Sequence, residues 1–209
     1  MAALKEDKKN VVKDSLGATL VDLGDGVLCV EVHTKMNTID DDVVNALKEG
    51  VVEAEKNFEA LVIGNDGEHF GAGANLLMIF MAAQQKEWEQ VGKIIDEFQG
   101  AVQGLRYANV PVVSAPFGLT LGGGAEIVMG ADAAQAYAET YMGLVEVGVG
   151  LIPAGCGCLR MVERWTDGLA NVPGVDPLKF VGSGSLNIAM AKTGTSAEEA
   201  QRLRLLLPR

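Results

Sequence analysis

Hydrophobic and polar positions change period several times along this chain, and the changes mark out alternating strands and helices. Ala18 to Leu23 and Val27 to Val32 are rich in apolar and β-branched residues, and the intervening Gly24-Asp25-Gly26 is a hairpin signal. After Thr38, Asp40, Asp41 and Asp42 favour a helix N-terminus. Val43, Leu47, Val51 and Ala54 then recur at intervals of four, four and three, as one face of a helix requires. Ala60 to Ile63 is a short apolar run closed by Gly64 and reads as a buried strand. Phe70-Gly-Ala-Gly-Ala-Asn75 leads into the apolar Leu76 to Ala83, predicting a glycine loop and a helix with Asn75 as its N-cap. Trp88, Val91, Ile95, Phe98, Val102 and Leu105 step by three and four, predicting a long amphipathic helix whose stripe is packing surface.

The second half opens with Pro111-Val-Val-Ser-Ala-Pro-Phe-Gly-Leu-Thr-Leu-Gly-Gly-Gly-Ala-Glu126. Val112 to Ala115 reads as a buried strand ended by Pro116 and Gly118, and Ala125 to Met129 as a buried helix entered through three glycines. A glycine loop at a helix start offers unpaired N–H groups and the positive end of the helix dipole, which suit an anion or a developing oxyanion. It also serves as no more than a tight turn. Gly122 to Ile127 lacks the third glycine of a dinucleotide fingerprint, and no Walker-type Gly-Lys-Ser/Thr exists. Ala134 to Ala138 predicts another strand. Tyr141 to Pro153 is apolar apart from Glu146, a carboxylate that needs either a function or a surface position. Cys156 and Cys158 read as small packing residues, Arg164 to Gly184 carries little pattern, and Thr195-Ser-Ala-Glu-Glu199 is a capping box opening a helix with Ala200, Leu203 and Leu207 on one face.

Composition narrows the classes. With 209 residues, 48% of them hydrophobic, the chain suits one globular domain, read as 18–209 behind a charged linker-like segment, 1–17. A net charge of −11 argues against a nucleic-acid partner. Three cysteines make neither a disulfide framework nor a zinc spacing, and His33 and His69 have no partner at ligand spacing, so no metal site is predicted. The charged start and the lack of a membrane-spanning run predict a cytoplasmic protein.

Taken together, Phe70-Gly-Ala-Gly-Ala-Asn75, Leu121-Gly-Gly-Gly-Ala-Glu126 and Glu146-Val-Gly-Val-Gly-Leu-Ile-Pro153 resemble the crotonase (enoyl-CoA hydratase/isomerase) superfamily. Within it the likeness is to the hydratase region of bacterial multifunctional 3-hydroxyacyl-CoA dehydrogenases of fatty-acid β-oxidation. The resemblance covers about Leu23 to Met161 and implies an α/β, crotonase-like superhelix of repeated β-β-α units, assembled as trimers or hexamers and fused to a dehydrogenase domain. It implies an acyl-CoA thioester as substrate, coenzyme A being part of that substrate and no separate cofactor. It places an oxyanion hole on the Ala74 and Gly123 N–H groups and the paired glutamates of hydratases on Glu126 and Glu146. Lys35, Ala72, Asn75, Leu76 and Gly122 fall at substrate-contacting positions. An isomerase, which commonly keeps only the later carboxylate, and a non-catalytic acyl-CoA-binding or assembly module are the alternatives. Asn75 stands where Asp is commoner, and Cys156 and Cys158 replace a Gly and a Thr of the usual pattern.

Overall fold

The computed structural model describes residues 1–169 and 172–208. A short helix, α1 (Ala2–Glu6), precedes a hairpin-linked trio of strands, β1 (Val11–Asp14), β2 (Ala18–Asp22) and β3 (Val27–Val32). Helix α2 (Asp41–Asn57) follows, then β4 (Ala60–Gly64), β5 (Gly71–Ala72), α3 (Leu76–Gln84) and α4 (Trp88–Arg106). Next come β6 (Val112–Ser114), β7 (Gly118–Leu121), α5 (Gly123–Gly130), β8 (Ala133–Ala134) and β9 (Thr140–Gly143). A 3-10 turn, Glu146–Val149, leads to α6 (Gly157–Thr166), α7 (Leu178–Ala189), β10 (Thr193–Gly194) and α8 (Ala197–Arg202).

Two sheets result, in the orders β1-β2-β3-β4-β6-β8 and β10-β9-β7-β5. Antiparallel pairs edge each sheet, while β3-β4-β6-β8 and β9-β7-β5 run parallel. The chain places one strand in the large sheet and the next in the small one, then returns through helical structure: β4 and β5, β6 and β7, β8 and β9. This is the repeated β-β-α winding of the crotonase-like α/β fold. Both parallel runs stay in register, with Ile63 beside Ser114 and Ser114 beside Ala134 in one, and Ala72 beside Leu121 and Leu121 beside Gly143 in the other.

The apolar patterns explain the packing. Val43, Leu47, Val51 and Ala54 turn inward from α2, whose start is capped by the Asp40 side chain accepting from the Val43 N–H at 3.1 Å. All eight residues of α5 are buried. Hiding Ile127, Val128 and Met129 is worth roughly 1.5–3 kcal/mol each. No helix among the described residues is long and apolar enough to cross a membrane.

Several sequence expectations need correction. Val11–Asp14 is an edge strand paired with β2, not part of a linker. The stretch after Pro116 holds a second strand, β7, which sequence read as part of the loop. The strand expected over 134–138 shrinks to Ala133–Ala134, because the chain leaves the large sheet there to enter the small one. Asn75 occupies the N-cap position of α3, but its side chain makes no capping hydrogen bond. The capping box holds, with Ser196 accepting from the Glu199 N–H and Glu199 reaching back to the Thr195 N–H at 2.8 Å. Helix α8 stops at Arg202, however, so Leu207 is exposed and Leu205 and Leu206 fill the core instead. The weakly patterned 164–184 region contains the end of α6 and the start of α7.

Candidate active site

Three parallel strands end side by side in the small sheet, and each feeds a different piece of one cavity. Past Ala72 come Gly73, Ala74 and Asn75; past Leu121 come the glycine triplet and the first turn of α5; past Gly143 come Leu144, Val145 and Glu146. The Gly122 N–H donates to the Gly143 carbonyl at 2.9 Å, tying the second piece to the third. Gly122 has φ +53 and ψ −123, a backbone that residues with a Cβ avoid. A Cβ there would lie 3.2 Å from the Glu146 Oε1 and 3.6 Å from the Gly73 Cα, so all three pieces converge on this glycine.

The first piece is registered by Ile39, whose N–H donates to the Gly73 carbonyl and whose carbonyl accepts from the Asn75 N–H, both at 2.9 Å. That pairing leaves the Ala74 N–H without a backbone acceptor among the described residues. Gly123 opens α5, so its N–H also lacks one. The cavity beside them has a volume of about 420 Å³. Its walls are largely apolar, with Ile39, Leu76, Val91, Ile95, Phe98 and Ile152 among them, and Glu126 and Glu146 are its carboxylates near the glycine triplet.

Glu126 is 3% exposed, and its Oε1 accepts the Gly157 N–H at 2.7 Å. Burial first, then the neighbouring Glu146 charge, push its pKa from 4.5 up to about 8, against the pull of the Gly157 and Gly155 amides. Both carboxylate oxygens of Glu146 are out of solvent and lack a hydrogen-bond partner among the described residues. Burial raises its pKa too. Ionisation of Glu146 thus makes ionisation of Glu126 harder. The thiols of Cys156 and Cys158 are likewise raised by burial. Among the described residues no three His, Cys, Asp or Glu side chains form a metal-holding group.

Of the residues singled out from sequence, Ala72, Ala74, Asn75, Leu76, Gly122, Gly123, Glu126 and Glu146 all line the cavity. Lys35 does not; it is exposed on a 3-10 turn, Lys35–Asn37, that precedes Ile39. The stripe on α4, expected to be packing surface alone, divides. Val102 and Leu105 enter the core, Val91, Ile95 and Phe98 wall the cavity, and Trp88 is exposed. Sequence reasoning missed Gly155 and Gly157, which seat the Glu126 carboxylate: a Cβ on either would come within 3 Å of a Glu126 oxygen, at 2.5 and 2.9 Å. The only sequence signal was glycine at alternate positions in Gly155-Cys-Gly-Cys158.

Residues 23–171 match the model of the family described as enoyl-CoA hydratase/isomerase. A probable 3-hydroxyacyl-CoA dehydrogenase of Bacillus subtilis is 44% identical over 206 residues, which is 99% of this chain and 25% of the relative. A putative fatty acid oxidation complex trifunctional enzyme of Rickettsia prowazekii is 33% identical over 161 residues, 77% of this chain and 22% of the relative. The chain thus spans about a quarter of the length of these curated relatives. The crystal structure of an enoyl-CoA hydratase from Thermoplasma volcanium superposes with a TM-score of 0.76 at 20% identity, covering 92% of this chain and 71% of that one, which shows the shared fold. With the motif-bearing loops, the winding of the two sheets and this match over most of its length, the chain belongs to the enoyl-CoA hydratase/isomerase family.

Proposed function

We propose that this chain is a hydratase that adds water across the double bond of trans-2-enoyl-CoA thioesters. The observation that carries the reading is the pair of electrostatically coupled carboxyl groups beside two unpaired N–H groups in one apolar cavity. The thioester carbonyl accepts the Ala74 and Gly123 N–H groups. As the water oxygen bonds to Cβ, electrons of the C=C bond shift toward the carbonyl, and the negative charge on its oxygen is held by those donors. One such donor is typically worth about 2.7–4 kcal/mol. Glu126 and Glu146 hold the water between them. The ionised member takes the water's proton and the protonated member delivers a proton to Cα, so the product is the 3-hydroxyacyl thioester and the pair again carries one proton. The glycine loops can approach the thioester closely because no Cβ intervenes. The nucleotide end of coenzyme A lies toward Lys35, outside the cavity. A dehydrogenase domain fused to this one would act on the hydroxyl group so formed, with the assembly a cytoplasmic trimer or hexamer.

The test is hydration of crotonyl-CoA, followed as loss of enone absorbance. Turnover by the wild type that falls by about 10²-fold or more in both Glu126→Gln and Glu146→Gln supports the reading. Near-normal hydration in Glu126→Gln rejects the two-carboxylate mechanism, and acyl-CoA binding without turnover points to an isomerase or a binding module.

A further inference from the structure

The carboxylate of Glu126 is held by a loop, and that loop is itself held by helix α4. The Gly157 N–H donates to Glu126 Oε1 at 2.7 Å, and a Cβ at Gly155 would meet both Phe98 and Glu126 Oε2, so the seat leaves no slack. Residues 153–157 have only sparse backbone bonding of their own: Pro153 accepts from the Cys158 N–H at 3.3 Å, and Cys156, with φ +87, accepts from the Arg160 N–H at 2.9 Å. A non-glycine residue in that backbone region is strained and persists where its surroundings hold it. The loop and the helix after it are tied to α4 by two side-chain bonds. The half-buried Gln99 of α4 donates through Nε2 to the Ala154 carbonyl at 2.5 Å. One turn later Gln103 accepts, at 2.6 Å, from the Nη2 of Arg160, which is 2% exposed and whose Nη1 donates to Glu163 at 2.7 Å. Gln99 and Gln103, four apart, share a face of α4 beside the apolar stripe that walls the cavity.

We infer that Gln99 is a positioning residue: its side-chain amide pins the Ala154–Gly157 loop, and the loop in turn fixes the Glu126 carboxyl for proton transfer. The inference rests on the hydratase reading for its catalytic consequence, but its structural half does not. Gln103 fastens α6 through Arg160 and leaves the Ala154 carbonyl alone, so it serves as the comparison. Titratable groups facing Glu126 are Glu146 from the 3-10 turn, Cys156 and Cys158 from the loop and α6, with Asp40, Asp41 and Glu97 on the cavity wall. None of them is altered by a change at Gln99. The Gly157 and Gly155 amides pull the Glu126 pKa down, so loosening the loop raises it.

The experiment uses the full chain and two readouts. The first is the protonation of Glu126 across pH, followed by carbon NMR of labelled glutamate carboxyls and assigned by its loss in Glu126→Gln. The second is crotonyl-CoA hydration, read as kcat and KM against pH. Gln99→Met should move the Glu126 titration to higher pH and lower kcat by about tenfold with little change in KM, because misplaced catalytic groups affect the transition state first. Gln99→Leu, uncharged and unable to donate, should do the same and supplies a second folded sample. Gln103→Met should lower the melting temperature yet leave the Glu126 titration in place. Unchanged Glu126 titration in folded Gln99→Met or Gln99→Leu overturns the inference, as does an equal shift in Gln103→Met. A wild type that never hydrates crotonyl-CoA defeats the hydratase reading instead, and the titration still decides the role of Gln99.

Discussion

Replacing Glu126 by Gln should make the protein more stable at high pH and leave it nearly unchanged at low pH. Glu126 has an ordinary pKa of 4.5 and a folded-state value of about 8, raised by burial and then by Glu146. A carboxyl whose folded pKa is raised binds more protons folded than unfolded. Its contribution to stability is therefore complete below about 4.5 and is lost as pH rises through about 8. Each pH unit in that window removes about 1.4 kcal/mol, so the upper limit of the loss is about 5 kcal/mol. Water entry reduces it, and we expect a difference of about 2 kcal/mol or more. Gln never ionises, and its amide carbonyl can still accept the Gly157 N–H. Urea unfolding at pH 5 and pH 8.5 should then show near-equal stability at the lower pH and a more stable variant at the higher. Parallel stability curves for the two proteins from pH 5 to 8.5 would refute the claim that Glu126 titrates within this buried pair.

Glu146→Gln should bring the Glu126 titration below about 8 by removing the like charge, and the double Gln variant should lose far less hydration than the product of the two single losses, since the pair acts as a unit. Gly122→Ala should lower the melting temperature, the backbone strain alone being of order 1–3 kcal/mol. It should also depress kcat, because the new methyl lies 3.2 Å from the Glu146 Oε1. Calorimetry should show acyl-CoA binding and no duplex DNA binding at physiological salt, in line with the net charge of −11. Light scattering should report a homo-oligomer at micromolar concentration, a trimer or hexamer, and a stable monomer would refute that assembly.

The two glycine loops, Glu126 and Glu146 were legible because each combines residues with strong local preferences: glycines at turns, an apolar run around a lone carboxylate. The elements that bring them together were not. Strand β7 begins at a glycine and has four residues, too short for any period to show, yet its pairing with β5 and β9 is what places Glu146 next to Gly122. The α4 stripe could be read, but nothing in its spacing says that Val91 and Phe98 face a cavity while Val102 faces core, because both surroundings are apolar. The seat of Glu126 lies 31 positions away at Gly157, a distance no local pattern spans. Asn75 is a good capping residue by type, but the bridge that Ile39 makes on either side of Ala74 sets the backbone there, and the side chain makes no capping bond.

The side-by-side strand ends of the small sheet also govern which length changes this chain can absorb. One residue inserted within β9 would carry Glu146 about 3.3 Å along the strand direction and turn the following side chains to the opposite face. The same insertion in β5 or β7 would shift the Ala74 or Gly123 donor relative to the other two pieces. Residues 135–139, which lie before β9, join strands of different sheets, and an extra residue among them would disturb the bonds of Gln135, Tyr137 or Glu139 to 114–118 while the Leu121–Gly143 pairing holds. Insertions and deletions in relatives of this chain should therefore gather on the side where the small-sheet strands begin, and the side where they end should keep its count residue for residue.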